Sequence, residues 1–382
     1  MAAFVASPKT QLSTEDAAAI LRHYRLSLRQ LRAIPQGTIN SNYQVITDAG
    51  PLFLRVCEGK SWADAAFESA LIWHLGSRGL RTPALWRTRS GSAFVPFRRG
   101  QPVMLFSWVS GRQVADHAID TAHAFHIGEL LAELHLAAAD IRREHAGIYT
   151  LRHIGERLAQ LRTDATAQAE LGPVLQSLHS EIELLSRLRV RDLPRGIGHN
   201  DLFPDNLLFT RRLPRHRPGT TARTPLGSGF ILDLEQAATL PYVYDLAVAL
   251  LACCAPAPAL APQTATPVSD ASSDERSAEA SAADREDRAR IGPLCADTAR
   301  ALVAGYQSLR ALSPREWQGL YPELRFAALR FTVTRLTDVH GYGRPTPRPH
   351  VEGKDFREFL WRLHRLIATD REQLCAHLRQ PF

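Results

Sequence analysis

His199-Asn200-Asp201-Leu202-Phe203-Pro204-Asp205-Asn206, followed by Ile231-Leu232-Asp233-Leu234-Glu235, is the part of this chain whose reading decides the fold. A histidine, an aspartate two residues on, an asparagine five residues beyond that aspartate, and a second aspartate after an apolar strand suit ATP-dependent phosphoryl transfer. Asp201 is the candidate base, because a short carboxylate on a tight loop can reach a hydroxyl lying in line with the γ-phosphate. Asn206 and Asp233 are the candidate magnesium ligands, two oxygen donors that leave room for phosphate and water. His199 reads as a loop organiser. Either fragment alone is an ordinary polar turn or strand-end aspartate; the two in order, each beside an apolar strand, point to chemistry.

The stretch His199 to Phe209 resembles the catalytic loop of the aminoglycoside phosphotransferase and choline kinase group, and within it the kinase-fold homoserine kinases, which carry a His-x-Asp-Leu-Phe-x-Asp-Asn-x-Leu-Phe run. Gly37-Thr38-Ile39-Asn40-Ser41-Asn42-Tyr43 is similar to their nucleotide loop, and Leu131-Ala132-Glu133-Leu134-His135 to their central helix. Tyr244-Asp245-Leu246-Ala247 resembles the segment after the metal aspartate, and Arg330-Phe331 with Thr334-Arg335-Leu336 a late helix. The likeness covers most of residues 15 to 380. It implies an α+β, protein-kinase-like, two-lobed fold: a small antiparallel-sheet N-terminal lobe over 1–109 and a mainly helical C-terminal lobe over 110–382. It also implies ATP and Mg2+ as cofactors and a small-molecule hydroxyl acceptor, with homoserine as the first candidate.

Outward from the loop, Tyr43 to Thr47 and Leu52 to Cys57 alternate around Asp48-Ala49-Gly50-Pro51, a hairpin signal. Gly37, Asn40, Ser41 and Asn42 just before it are nucleotide-loop candidates, although without repeated glycines a plain strand-entry turn reads as well. Where a kinase strand holds its phosphate-binding lysine stands Leu54-Arg55-Val56. Arg55 is therefore the candidate cation, able to grip phosphate oxygens in a fork, with Glu68 on the next helix as its partner; a surface arginine is the alternative. Val103 to Val109 reads as the strand against which adenine would lie, with Phe106 and Trp108 as neighbours.

Composition agrees with this reading. A chain of 382 residues, 45% apolar, is long enough for two lobes with a sizeable core. Its net charge of +7 comes almost wholly from scattered arginines, so nucleic acid is not the expected partner. Five cysteines without metal or disulfide spacing read as reduced thiols of a cytoplasmic protein. Met1 to Thr10 lacks a targeting pattern, and Val243 to Ala261 is too interrupted by Asp245 and prolines to span a bilayer, so no membrane association is expected. The oligomeric state is not readable. Residues 210–229 read as a solvated basic loop, and 256–290, rich in Ala, Pro, Ser, Asp and Glu, as a disordered insertion.

Helices are expected over about 64–78, 120–138, 151–188, 295–312 and 322–340. In the last, Arg330 and Arg335 border apolar rows and need partners, either an internal carboxylate such as Asp245 or a substrate carboxylate. Glu235 and Asp245 are the other candidate substrate contacts. Two departures bear on the acceptor: Pro204 replaces a basic residue often seen in the loop, and Leu251-Ala252-Cys253 stands where homoserine kinases carry Asn-Asp-Trp. A second reading is therefore a kinase for another small alcohol, an amino sugar or an aminoglycoside. A third is a nucleotide-binding regulator without turnover, motivated by the missing strand lysine and opposed by the intact Asp201, Asn206 and Asp233.

Overall fold

The computed structural model describes residues 10–35, 40–210, 229–255, 290–343 and 354–382. Gly37 and most of both expected insertions lie outside these residues. The chain divides into two compact units: Met1–Arg112 with Asn206–Arg211 and Gly227–Ala237, and the remainder. By this division the hairpin strands that follow the His199–Asn206 loop belong with the first unit.

In the first unit, α1 (Thr14–Arg22) starts at a reciprocal Ser13–Asp16 capping box. It is followed by β1 (Leu28–Ile34), β2 (Ser41–Thr47), β3 (Gly50–Val56), α2 (Trp62–Ser77), β4 (Val95–Phe97) and β5 (Gln101–Ser107). The strands form one antiparallel sheet in the order β1-β2-β3-β5-β4. Strict alternation in β2 sends Tyr43 and Val45 inward, onto Leu21, Leu52, Leu54, Val103 and Leu105. β1, which was not anticipated, lacks that alternation: its residues are exposed or half-buried, as at a sheet edge. A short antiparallel pair, β7 (Leu207–Phe209) and β8 (Gly229–Ile231), completes the unit.

The second unit contains α3 (Thr121–Ala137), α4 (Leu151–Thr163), α5 (Ala165–Leu188), the strand pair β6 (Arg195–Gly198) and β9 (Ala238–Pro241), and α6 (Tyr242–Cys254). The two-residue strands β10 (Arg290–Ile291) and β11 (Leu294–Cys295) lead into α7 (Ala296–Leu309), α8 (Pro314–Thr334), α9 (Phe356–Ile367) and α10 (Arg371–Arg379). α3 and α7 cross backbone to backbone: a Cβ on Gly128 would lie 2.0 Å from the Leu302 carbonyl oxygen, and one on Gly305 1.9 Å from that of Phe125.

α8 begins eight residues before the expected start, at a Ser313–Glu316 capping box, and carries Pro322 inside it. Proline there cannot donate to the carbonyl four residues back. The Gln318 oxygen is instead taken by the Arg371 guanidinium at 2.9 Å, which lets the helix run through. Beyond Thr334 the coil widens into a π turn over Arg335–Val339.

Candidate active site

The catalytic loop is anchored from beneath by a buried carboxylate. β6 ends at Gly198, where a Cβ would come within 2.5 Å of Asp245 Oδ2, so glycine is what admits this side chain. Asp245, in the first turn of α6 and without solvent exposure, accepts the His199 amide at 2.6 Å and the Asn200 amide at 2.7 Å. His135 approaches the same carboxylate through Nε2 at 3.0 Å, and its Nδ1 meets the Tyr306 hydroxyl at 2.7 Å. A carboxylate only accepts, so Nε2 carries the imidazole proton and Nδ1 receives that of the tyrosine. Burial works against a charged Asp245, but the bond with His135 and those from the loop outweigh it and hold the carboxyl below its usual range. Burial also pulls His135 below the ordinary histidine range, keeping the ring neutral.

Asn200 then turns left-handed, with φ of 66°, a conformation asparagine tolerates better than most residues. The turn carries Asp201, whose amide donates to His199 Nδ1 at 3.3 Å. Arg330, fully buried, donates to the Asn200 carbonyl at 2.6 Å and approaches Asp201 to 3.8 Å. Its guanidinium sits over the Tyr149 and Phe331 rings, at 4.1 and 4.0 Å. Burial raises the Asp201 carboxyl above its usual range, while Arg330, Lys354 and His199 pull the other way. The side chain stays one-quarter exposed. Asp201 is thus a held carboxylate with a raised proton affinity.

At Asn206 the chain enters the first unit. The Asn206 carbonyl accepts the Leu232 amide at 2.9 Å, and β7 pairs with β8 through Leu207 and Ile231, so Asn206 and Asp233 come together at one end of this pair. Asp233 is itself left-handed, with φ of 53°, a strained conformation for aspartate. Asp233 and Asn206 supply oxygen donors of the kind magnesium takes. Among the described residues no group of three or more His, Cys, Asp or Glu is placed to hold a metal by itself. A metal here would share its shell with phosphate oxygens and water.

Arg55 donates to Asp233 at 3.1 Å and to Glu68, and lies 5.1 Å from the Phe106 ring centroid. Desolvation disfavours its charge, but Glu68, Cys57 and the two acids of the Asp233–Glu235 segment reverse the balance and keep it protonated. Arg55 is buried rather than on the surface. Lys60 donates to the other Glu68 oxygen at 2.9 Å and lies 3.5 Å from Glu235. Burial and the neighbouring Asp233 push the Glu235 carboxyl up. Asn40 donates to Glu235 and accepts the Glu58 amide, while Ser41 donates to Glu58 at 2.6 Å. Asn42 pairs with Arg55 in the β2–β3 register. Trp108, just past β5, is half-buried.

The first unit therefore brings together Asn40, Arg55, Glu68, Phe106, Asn206, Asp233 and Glu235; the second gathers His199, Asp201, Asp245 and Arg330. Asp245, expected at the acceptor, is instead a fully buried anchor of the loop, because its oxygens are taken by amides and an imidazole. It is not the partner of either arginine: Arg330 finds the Asn200 carbonyl and Asp201, and Arg335 finds Glu358 and the Asp355 carbonyl. Lys60, His135 and Tyr149 were not singled out. Lys60 had a signal as one of three lysines, eight residues before Glu68, and His135 as the end of the Leu131–His135 segment.

Residues 30–281 match the model of the APH phosphotransferase enzyme family. The chain belongs to that family. Among its APH relatives, a homoserine kinase of Parvibaculum lavamentivorans is 29% identical, with 94% of this chain and 96% of the relative covered. One of Methylocella silvestris is 31% identical over 86% of this chain and 87% of the relative. In fold the chain is similar to the amicoumacin kinase hAmiN in complex with AMP-PNP, Ca2+ and Ami, at a TM-score of 0.60 and 13% identity, covering 94% and 95% of the two chains. The protein-kinase-like α+β architecture expected from the loop is the one found, and this APH phosphotransferase is an ATP-dependent small-molecule kinase. Among the described residues no helix is long and apolar enough to cross a membrane.

Proposed function

We propose that this kinase transfers the γ-phosphoryl group of ATP to the side-chain hydroxyl of homoserine. Two relatives of that name, similar over most of their length, support the acceptor, and the anchored Asp201 supports the chemistry. Asp201 takes the hydroxyl proton as the oxygen attacks; its raised proton affinity suits it to that task and its remaining exposure leaves it reachable. Asn206 and Asp233 would hold magnesium, which when bound would neutralise charge on the phosphates. Arg55, fixed by Glu68, exchanges its bond to Asp233 for phosphate oxygens when nucleotide enters, and Lys60 stands beside it as a second cation. Asn40, Ser41 and Asn42 shape the nucleotide loop, with Gly37 as its turn, and the β5 end with Phe106 and Trp108 borders the adenine. Five free cysteines suit a cytoplasmic setting.

Leu251, Ala252 and Cys253, where the resembling kinases carry Asn-Asp-Trp, are buried, with Cys253 against the Leu202 carbonyl. The test is ATP turnover against a panel of L-homoserine, amino alcohols and amino sugars. Turnover of homoserine with the highest kcat/KM supports the proposal. Failure on homoserine with turnover of another alcohol overturns the acceptor and leaves the kinase chemistry standing.

A further inference from the structure

We infer that Arg362 is a seat for the acceptor's carboxylate, so that this kinase selects hydroxy compounds that carry a carboxylate as well. This rests on the homoserine reading and adds the group that enforces it. Arg362 lies on the buried face of α9, with Phe356, Phe359, Leu363 and Leu366. It is 1% exposed, and its Nη2 is used by Glu358 and the Ala255 carbonyl. Among the described residues nothing accepts from its Nε or its Nη1. A buried guanidinium with unused N–H groups carries a desolvation penalty that an accepting ligand would relieve.

Charge points the same way. Glu358 is shared between Arg335 and Arg362, one carboxylate for two guanidinium ions. Asp116, the other acid near Arg362, is exposed on the surface, and desolvation together with Glu358 raises its carboxyl above the ordinary value. Burial, with Arg335 adding to it and Glu358 and Asp116 opposing, pulls Arg362 down to about 10, a departure that a bound anion would reverse. The place is also right. Arg362 donates to the carbonyl of Ala255, two residues beyond Cys253, whose Sγ meets the Leu202 carbonyl at 3.9 Å, and Phe359, over which the guanidinium lies at 4.4 Å, packs 5.9 Å from Phe203. Leu202 and Phe203 directly follow Asp201, so the free donors stand behind the loop that carries the base.

The test uses the full chain and its Arg362→Gln and Arg362→Lys variants, with L-homoserine as the acceptor. KM for homoserine is expected to rise about tenfold or more in both, as for a lost charge-assisted bond, with KM for ATP within about twofold. The increase in melting temperature that homoserine gives without ATP should shrink in parallel. An unchanged homoserine KM in a folded variant overturns the inference while leaving homoserine as substrate. Failure of both variants to fold, or an equal rise in both KM values, also overturns it, making the arginine structural. If the unaltered protein does not phosphorylate homoserine, the acceptor reading fails and this inference with it.

Discussion

Asp245 holds the amide of His199 at 2.6 Å from a position with no exposure to water, so the geometry of the catalytic loop is set from inside α6. Asparagine at 245 would present one oxygen and one N–H2 to two amides, leaving a buried donor facing a donor. The expected loss is on the order of 3 kcal/mol in denaturant unfolding at neutral pH. The Asp245 carboxyl is depressed in the folded state, so its contribution is complete above the unfolded value of about 3.9 and disappears as pH falls through the lower folded one. The stability difference between the two proteins should therefore hold at neutral pH and close below about pH 4. A difference independent of pH would mean that packing, not charge, is what Asp245 supplies.

Asp201 and Asp233 should fail differently. Asp201→Asn removes the proposed proton acceptor and should lower kcat by about 100-fold or more while nucleotide still binds. Asp233→Ala removes a proposed metal ligand and frees Arg55 from its 3.1 Å contact, so magnesium-dependent nucleotide binding should be lost. Titration calorimetry with ATP, with and without magnesium, separates the two. Equal loss of binding in both variants would contradict the division of roles.

Arg330 offers a check through pH. Burial raises the Asp201 carboxyl, and Arg330 is the largest influence in the other direction. The acid limb of the kcat profile should thus lie above the ordinary carboxylate range, and Arg330→Met should move it to higher pH, because the base then protonates more readily. Arg330 also holds the Asn200 carbonyl, so the height of the profile will fall as well; the informative quantity is the midpoint of the limb. Arg330→Lys, which keeps the charge, should move the midpoint less. A limb that stays in place in Arg330→Met would remove Asp201 as the titrating group.

The fold was legible because chemistry and local pattern coincide at the loop: His199, Asp201, Asn206 and Asp233 are spaced as phosphoryl transfer needs, and the β2–β3 alternation is strict. What escaped has physical reasons. β1 carries polar residues on both faces, so it shows no period-two signal. Pro322 looks like a helix start unless one knows that Arg371, 49 positions further on, satisfies the carbonyl it orphans. The partners of Arg330 and Arg335 were open for the same cause. Their contacts are a main-chain carbonyl 130 residues away and a glutamate on the next helix, and neither leaves a mark on the local sequence.

The close crossing of α3 and α7 gives a prediction that owes nothing to chemistry. Gly128→Ala would place a methyl group 2.0 Å from the Leu302 carbonyl oxygen, which is backbone and cannot swing away. The helices would have to separate, at a cost at or above the usual 1–3 kcal/mol of overpacking, about 3 kcal/mol or more here. A clear fall in denaturation midpoint is expected, whereas Gly76→Ala on the open face of α2, where a Cβ meets nothing, should be neutral or slightly stabilising.

Arg55 is shared between Glu68 and Asp233, and Lys60 between Glu68 and Glu235, so two cations and three acids form one network around the proposed phosphate site. If Arg55 grips phosphate, Arg55→Met should raise KM for ATP by about tenfold to 100-fold, the worth of a charge-assisted bond of roughly 1.5–3 kcal/mol. Homoserine KM should move far less. Arg55→Lys should recover part of the affinity, since lysine restores the charge but not the fork. Lys60→Met alone should cost less than Arg55→Met, because Lys60 is nearer solvent, at 14% side-chain exposure against 5%. The double variant should lose more than the sum of the two, since each cation covers for the other at Glu68. Simple additivity would show that the cations act separately. An unchanged ATP KM in Arg55→Met would mark the arginine as a structural ion pair that never leaves Asp233.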